Sequence, residues 1–329
     1  MTMKYSFLKP IEEYFVDEPP LLRTAKTIQI LVIRQTHDYT IFRTEETREL
    51  NIATIPKSIN DGTPTVNVVM YASKQKAPEN RMYITLFRSY AEKVGYKLPD
   101  YVRRCRLKDK LCRSCPRCIL FGAVSTKKGS KSTERWNIKH RIEYSSAYSI
   151  EPYEQVSELI TFNAVDTATQ STGQALGYTE NIRPIVNFPS VITLNSVTKE
   201  EFILYLKTLL ATKSYGAETR VKGDMVNYIV GIVAGFEEII TPLEFVLELR
   251  ETDDWKNDPI GKTVEILSKY RKYASTSELI KVLKKEEVEN LVNGVRKFKP
   301  DKEFIEKLQK DADNFRKKAE DIAKQLSQG

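Results

Sequence analysis

The stretch KTIQILVIR (26–34) is rich in β-branched and apolar residues, and it reads as a buried strand. Downstream, DYTIFRT (38–44) predicts a second strand, with Tyr39, Ile41 and Arg43 alternating against Thr40 and Phe42. VNVVMYA (66–72) predicts a third. Asn80 to Tyr96 predicts a helix, because Tyr83, Leu86, Phe87, Tyr90, Ala91 and Val94 share one face at three- and four-residue spacing. IEYSSAYSI (142–150) and ELITFNAVD (158–166) predict strands, and the polar, glycine-containing segment 167–188 resembles a long hairpin. Thr198 with Glu201 forms a capping box that opens a helix to Ala211, and YIVGIVAG (228–235) predicts another buried strand. Strands and helices in this irregular order imply an α+β fold with a mostly antiparallel sheet. From about residue 240 the chain becomes charged and helix-forming. Leu308, Ala312, Phe315, Ala319, Ile322 and Leu326 form an apolar seam, suited either to docking on the chain's own core or to a partner subunit.

The 329 residues suffice for one large domain or two ordinary ones. No apolar run is long enough to span a bilayer, and the N-terminus lacks signal-peptide character, so no membrane partner and a cytoplasmic location are expected. The net charge is +8, but it is unevenly placed. Residues 81–150 hold 17 Lys or Arg against 5 Asp or Glu, an excess of +12, which leaves −4 for the rest. A localised basic segment suits a phosphate backbone.

All four cysteines, Cys105, Cys112, Cys115 and Cys118, fall inside that segment with the spacing C-x6-C-x2-C-x2-C. Such spacing can present four thiolates to one tetrahedral ion and leave no open position, which implies structural zinc and no catalysis at the metal. His140 could replace one thiolate. Ordinary reduced thiols or a redox pair are the alternatives. The following stretch carries Lys127, Lys128, Lys131, Arg135, Lys139 and Arg141 around Trp136, a composition suited to phosphates with one base-stacking ring. Only two histidines, His37 and His140, are present, and no phosphate-binding glycine motif occurs, so histidine-based hydrolysis and nucleotide chemistry have little to draw on. Asp38, Asp61 and Asp166 are acids that could hold a divalent metal; a turn or cap role is the simpler reading.

CPRCILFGAV (115–124), RIEYSSAYSI (141–150), FNAVDTATQSTGQALGYTENIRPIVNFPSVITL (162–194) and KSYGAETRVKGDMVNYIVGIV (213–233), taken in order, resemble the Cas seven-type backbone subunit of a type I-D CRISPR effector (Cascade) complex. The resemblance covers roughly residues 25–250. It implies a ferredoxin-like, RNA-recognition-motif-like palm (1–97 and 141–239), a thumb hairpin at about 166–187, a basic zinc-binding insertion (98–140) and a C-terminal helical region (240–329). It further implies copies stacked in a helical filament along a CRISPR RNA that pairs with target DNA, beside other effector subunits. Guide contacts are then expected from Arg43, Arg81, Gln170, Thr172, Gln174, Arg183, Tyr215, Gly216, Arg220 and Lys222, with the basic stretch Lys127, Lys128, Lys131, Arg135 and Arg141. The alternative is that the same subunit also cuts a target strand as a metal-dependent nuclease, for which Asp38 and Asp61 are the candidates.

Overall fold

A computed structural model describes residues 4–44, 49–106, 111–124, 137–162, 177–216 and 221–326. The chain runs through a 3-10 segment (Ser6–Tyr14), β1 (Thr27–Thr36), β2 (Ile52–Pro56), β3 (Pro64–Met70), α1 (Ala72–Lys93), α2 (Asp100–Arg103) and α3 (Pro116–Phe121). It continues with β4 (Ile142–Tyr144), β5 (Ala147–Tyr148), α4 (Tyr153–Val156), β6 (Ser157–Phe162), β7 (Gly177–Ile182), β8 (Asn187–Asn195), α5 (Lys199–Ala211) and β9 (Met225–Gly235). It closes with α6 (Pro242–Glu251), α7 (Pro259–Arg271), β10 (Lys281–Val282), α8 (Lys285–Lys297) and α9 (Lys302–Leu326). This is a mixed α+β architecture, and the described strand pairs are antiparallel.

The main sheet has the order β10-β9-β1-β8-β4, and the run predicted at 26–34 is its middle strand. Because side chains alternate across a strand, β1 feeds two cores. Ile28, Ile30 and Val32 pack in the layer that holds α1 and α5, while Leu31 and Ile33 pack against α6 and α7 on the opposite face. A register shift between Leu31 and Val32 against β9 marks a bulge in the strand. A helix layer on each face explains why β1 lacks the polar alternation of a half-exposed strand.

The smaller sheet, β2-β3-β5, adjoins through Arg250 of α6, whose guanidinium donates to the carbonyls of Pro56, Lys57, Ser149 and Ile150. The pair β6-β7 forms a two-stranded stem, with Ser157 opposite Ile182 and Phe162 opposite Gly177. This is the base of the expected hairpin. Its tip, with Gln170, Thr172 and Gln174, and also Asp166, lies outside the described residues.

Three expectations are corrected. Residues 38–44 form no strand: Thr40 exchanges bonds with Ile182, Ile41 donates to Gly216, and Phe42 accepts from Asn51, so three partners replace one ladder. The helix expected from Asn80 begins at Ala72 and runs through Pro78. That proline forgoes one helical donor, while buried Gln75 and Glu79 bond outward from the added turns. The stretch 142–150 is two short strands in different sheets. The capping box of Thr198 and Glu201 is present as read. On α9, Leu308, Ala312 and Phe315 are buried in the chain's own core and Ile322 is exposed. No described helix is long and apolar enough to cross a membrane.

Candidate metal centre and nucleic-acid interface

The four cysteine sulfurs lie within 4.8 Å of one another. Cys105 and Cys118 are 3.5 Å apart, Cys105 and Cys115 3.8 Å, and Cys112 and Cys118 4.0 Å. Tetrahedral zinc with bonds of about 2.3 Å requires sulfurs about 3.8 Å apart, so these spacings match a four-thiolate shell. Local structure builds the cluster. Arg88 of α1 donates to the carbonyls of Val102 and Cys105 and fixes the first ligand after α2. Arg113 takes a left-handed conformation (φ 56°) and turns the chain between Cys112 and Cys115. Cys115 caps α3, with Pro116 in the first helical turn, and Cys118 lies three residues further along it. The amides of Cys112 and Ser114 point at the sulfurs of Cys105 and Cys112, and Arg117 lies 3.8 Å from the sulfur of Cys118. Hydrogen bonds from the other three cysteines draw the Cys105 thiol down, whereas burial pushes that of Cys115 up. His140 is not part of the group; it faces Glu143 at 4.0 Å.

This segment does not stand apart from the main fold. Cys105, Cys115, Cys118, Ile119, Leu120 and Phe121 share the core of α1 and α5. α9 clasps it: Asp313 accepts from Tyr101 (3.0 Å) and from Ser114, and Gln309 donates to the Ser114 carbonyl at 2.8 Å.

The residues expected to touch a strand divide into three groups. Arg81 is exposed, but it lies inside α1 and not at its start, since the helix begins nine residues earlier. Lys222 is exposed beside Asp224 (2.5 Å), Arg183 pairs with Glu158 (3.1 Å) at the hairpin base, and Arg43 is half-buried. Lys127, Lys128, Lys131, Arg135, Trp136 and Arg220 lie outside the described residues. Arg141 and Tyr215 are committed to the interior. Arg141 is 3 % exposed and grips Glu201 with two nitrogens, and Tyr215 is fully buried. The reason in each case is a partner remote in sequence that needs a buried donor.

Gly216 (φ 56°) serves the protein's own packing: a Cβ there would lie 2.5 Å from the Ile41 carbonyl and 2.7 Å from the Phe42 ring. Gly223 (φ 66°) is tighter still, since a Cβ would fall 1.8 Å from the Tyr215 carbonyl, whose own amide bonds Gly223. Gly223→Ala should therefore cost roughly 2–3 kcal/mol, measured by urea unfolding. A cost near zero would show that the loop relaxes freely.

The acids considered for cleavage are in turns. Asp38 is exposed and accepts from the Tyr39 amide at 2.8 Å. Asp61 accepts from the Thr63 amide at 3.0 Å and pairs with Lys57 at 3.3 Å between β2 and β3; bonding to Thr63, then to Lys57, lowers its pKa to about 2. Among the described residues, only the cysteines form a group of three or more potential metal ligands.

Reading the sequence missed a buried polar centre. Arg34 of β1 and Glu79 of α1 form an ion pair at 2.7 Å with both side chains at 0 % exposure. Glu79 also accepts from Tyr144, Tyr205 and Tyr215 at 2.7–2.8 Å, and Arg34 donates to Ser190 and Asn227. The available signal was a lone arginine ending an apolar run and a glutamate four positions before Tyr83 on the helix's apolar face.

A family model described as Csc2 Crispr matches residues 11–309. No curated protein matches the chain. Among solved structures, Csc2 of Thermofilum pendens is similar at 17 % identity and a TM-score of 0.67, over 98 % of this chain and 99 % of that one. A chain titled CRISPR RNA-guided surveillance complex has 10 % identity over 76 % of this chain and 85 % of that one, with a TM-score of 0.47. With its family model spanning nearly the whole described core, this chain belongs to the Csc2 CRISPR family.

Proposed function

We propose that the chain is a guide-RNA-binding backbone subunit of a type I-D CRISPR surveillance complex. It oligomerises along the guide, presents it for pairing with target DNA and contacts other effector subunits. The observation that carries this reading is the family match over residues 11–309. The strand order β9-β1-β8-β4, with α1 before β4 and α5 between β8 and β9, supports a ferredoxin-like palm. The β6-β7 stem supports a thumb. The four close sulfurs support structural zinc in the 98–140 insertion. Reading of the strand's backbone and shape, with sequence left to base pairing, suits a basic surface of this kind.

Purified chain should carry small RNA of discrete length and form higher-order helical oligomers. Protein that stays monomeric and shows no preference for a repeat-derived guide would sink the reading. Lys127→Ala with Lys128→Ala should weaken binding evenly across sequences and reduce the salt slope by roughly 1.4, because each contact with a single strand contributes about 0.7. An unchanged slope would remove those lysines from the interface.

A further inference from the structure

At the free edge of β4 a cavity of about 630 Å³ opens between β8, the first turns of α1 and the start of α6. Lys76, Lys139 and His140 line it together with Glu143 and Glu238. Its carboxylates are already engaged. Glu143 accepts from Arg23 at 2.7 Å, and Glu238 accepts from Thr193 at 2.8 Å and Gln29 at 3.4 Å. The two lysines, by contrast, have no ion-pair or hydrogen-bond partner among the described residues.

Lys76 is half-buried, and burial lowers its pKa, with Glu143 and Arg117 acting in opposite senses. His140 is lowered by burial and by the nearby charge of Lys76, Arg23 and Lys139, against the opposing pull of Glu143. Lys76, Lys139 and His140 thus lie together in a concave, partly desolvated place whose two carboxylates already accept from other side chains, Glu143 also facing His140 at 4.0 Å. A bound anion would offset the charge of the two lysines, and a charge-assisted bond in a partly dry site is stronger than one on an open surface. Volumes of about 300–1,000 Å³ are usual for sites that hold a small ligand.

We propose that this cavity is a phosphate-binding site in which Lys76 and Lys139 grip the anion and His140 donates to it. Either a phosphodiester of a single strand or the phosphate of a free nucleotide supplies this chemistry. The site lies at the sheet edge away from the β6-β7 stem, near the end of β8 that pairs with the beginning of β1. It therefore does not depend on the guide-binding reading.

The test uses the full chain and the double variant Lys76→Gln, Lys139→Gln. The changes are polar and touch no core residue, and far-UV circular dichroism checks that the fold is kept. Inorganic phosphate, AMP and a single-stranded RNA oligomer are titrated by calorimetry. Wild type should bind inorganic phosphate, and the double variant should bind it at least tenfold more weakly. If the oligomer displaces phosphate and the variant's salt slope for RNA falls by about 0.7 per lost contact, the strand is the source. If AMP binds and the oligomer neither displaces it nor loses affinity in the variant, the free nucleotide is the source. Equal phosphate affinity in wild type and variant, or no binding by wild type at millimolar phosphate, overturns the proposal. Failure of wild type to bind any RNA would count against the guide reading alone, since the phosphate titration still decides the cavity.

Discussion

Replacing Glu79 with alanine should cost about 3–5 kcal/mol of folding stability, the range for removing one partner of a buried ion pair. Arg34 would keep a guanidinium at 0 % exposure without its counter-ion, and Tyr144, Tyr205 and Tyr215 would lose a shared acceptor. Tyr144 can still donate to Tyr205 at 3.1 Å, but the Tyr205 and Tyr215 hydroxyls lose their acceptor and add a desolvation penalty. The loss should also spread, because the centre ties together α1, β1, β4, α5, β8, β9 and the segment that enters the 213–224 loop. Urea unfolding measures the cost. Arg34→Met combined with Glu79→Leu is the informative companion, since it removes the stranded guanidinium and should recover the part of the loss due to the unpaired charge, while the tyrosine acceptor stays lost. If Glu79→Ala costs under about 1 kcal/mol, or the double variant is no better than the single, the charge pair is not what secures these elements.

That centre also shows where the sequence stops being readable. β1 was legible because a run dominated by β-branched and apolar residues reads as a buried strand, and helices on both faces place it in the middle of the sheet. The cysteine cluster was legible because three of its members are set by a turn and one helical turn, both short-range. Glu79 was lost because the expected helix started at Asn80, one residue too late to include it, whereas the helix runs from Ala72 through Pro78. No local pattern could assign its partners, which come from β1, β4, α5 and the loop before β9, between 45 and 136 positions away. Arg141 illustrates the same limit from the other side. Its basic neighbours suggest a phosphate contact, yet Glu201, which also completes the capping box of α5, claims it from 60 positions away. Residues 38–44 alternate like a strand but bond to three separate segments, and alternation reports burial, not ladder partners. Charge and periodicity therefore pointed to elements and basic stretches, and pairing decided which of the described charges remained outside.

Removing the zinc proposed for the cysteine cluster should loosen two parts of the molecule at once. Apparent binding free energies for structural zinc run at about 10–16 kcal/mol in small peptides, an upper bound for a site that is also packed into a core. A loss of several kcal/mol on chelation is therefore expected. Cys115→Ser should have the same effect, because it removes one of the four clustered sulfurs from a fully buried position. Without a cation, four thiolates within 4.8 Å of one another repel, and the sulfurs must take up protons or separate. Separation pulls on Ser114, which both Asp313 and Gln309 of α9 hold. Hydrogen exchange along Phe304–Phe315 should therefore rise with metal loss, although that helix contributes no ligand. Asp313→Ala separates the two effects: it should free α9 while the protein keeps one zinc per chain by elemental analysis. Protein that purifies without metal, is unmoved by chelator and shows unchanged exchange on α9 would make the cluster a set of reduced thiols and leave the clasp a packing contact only.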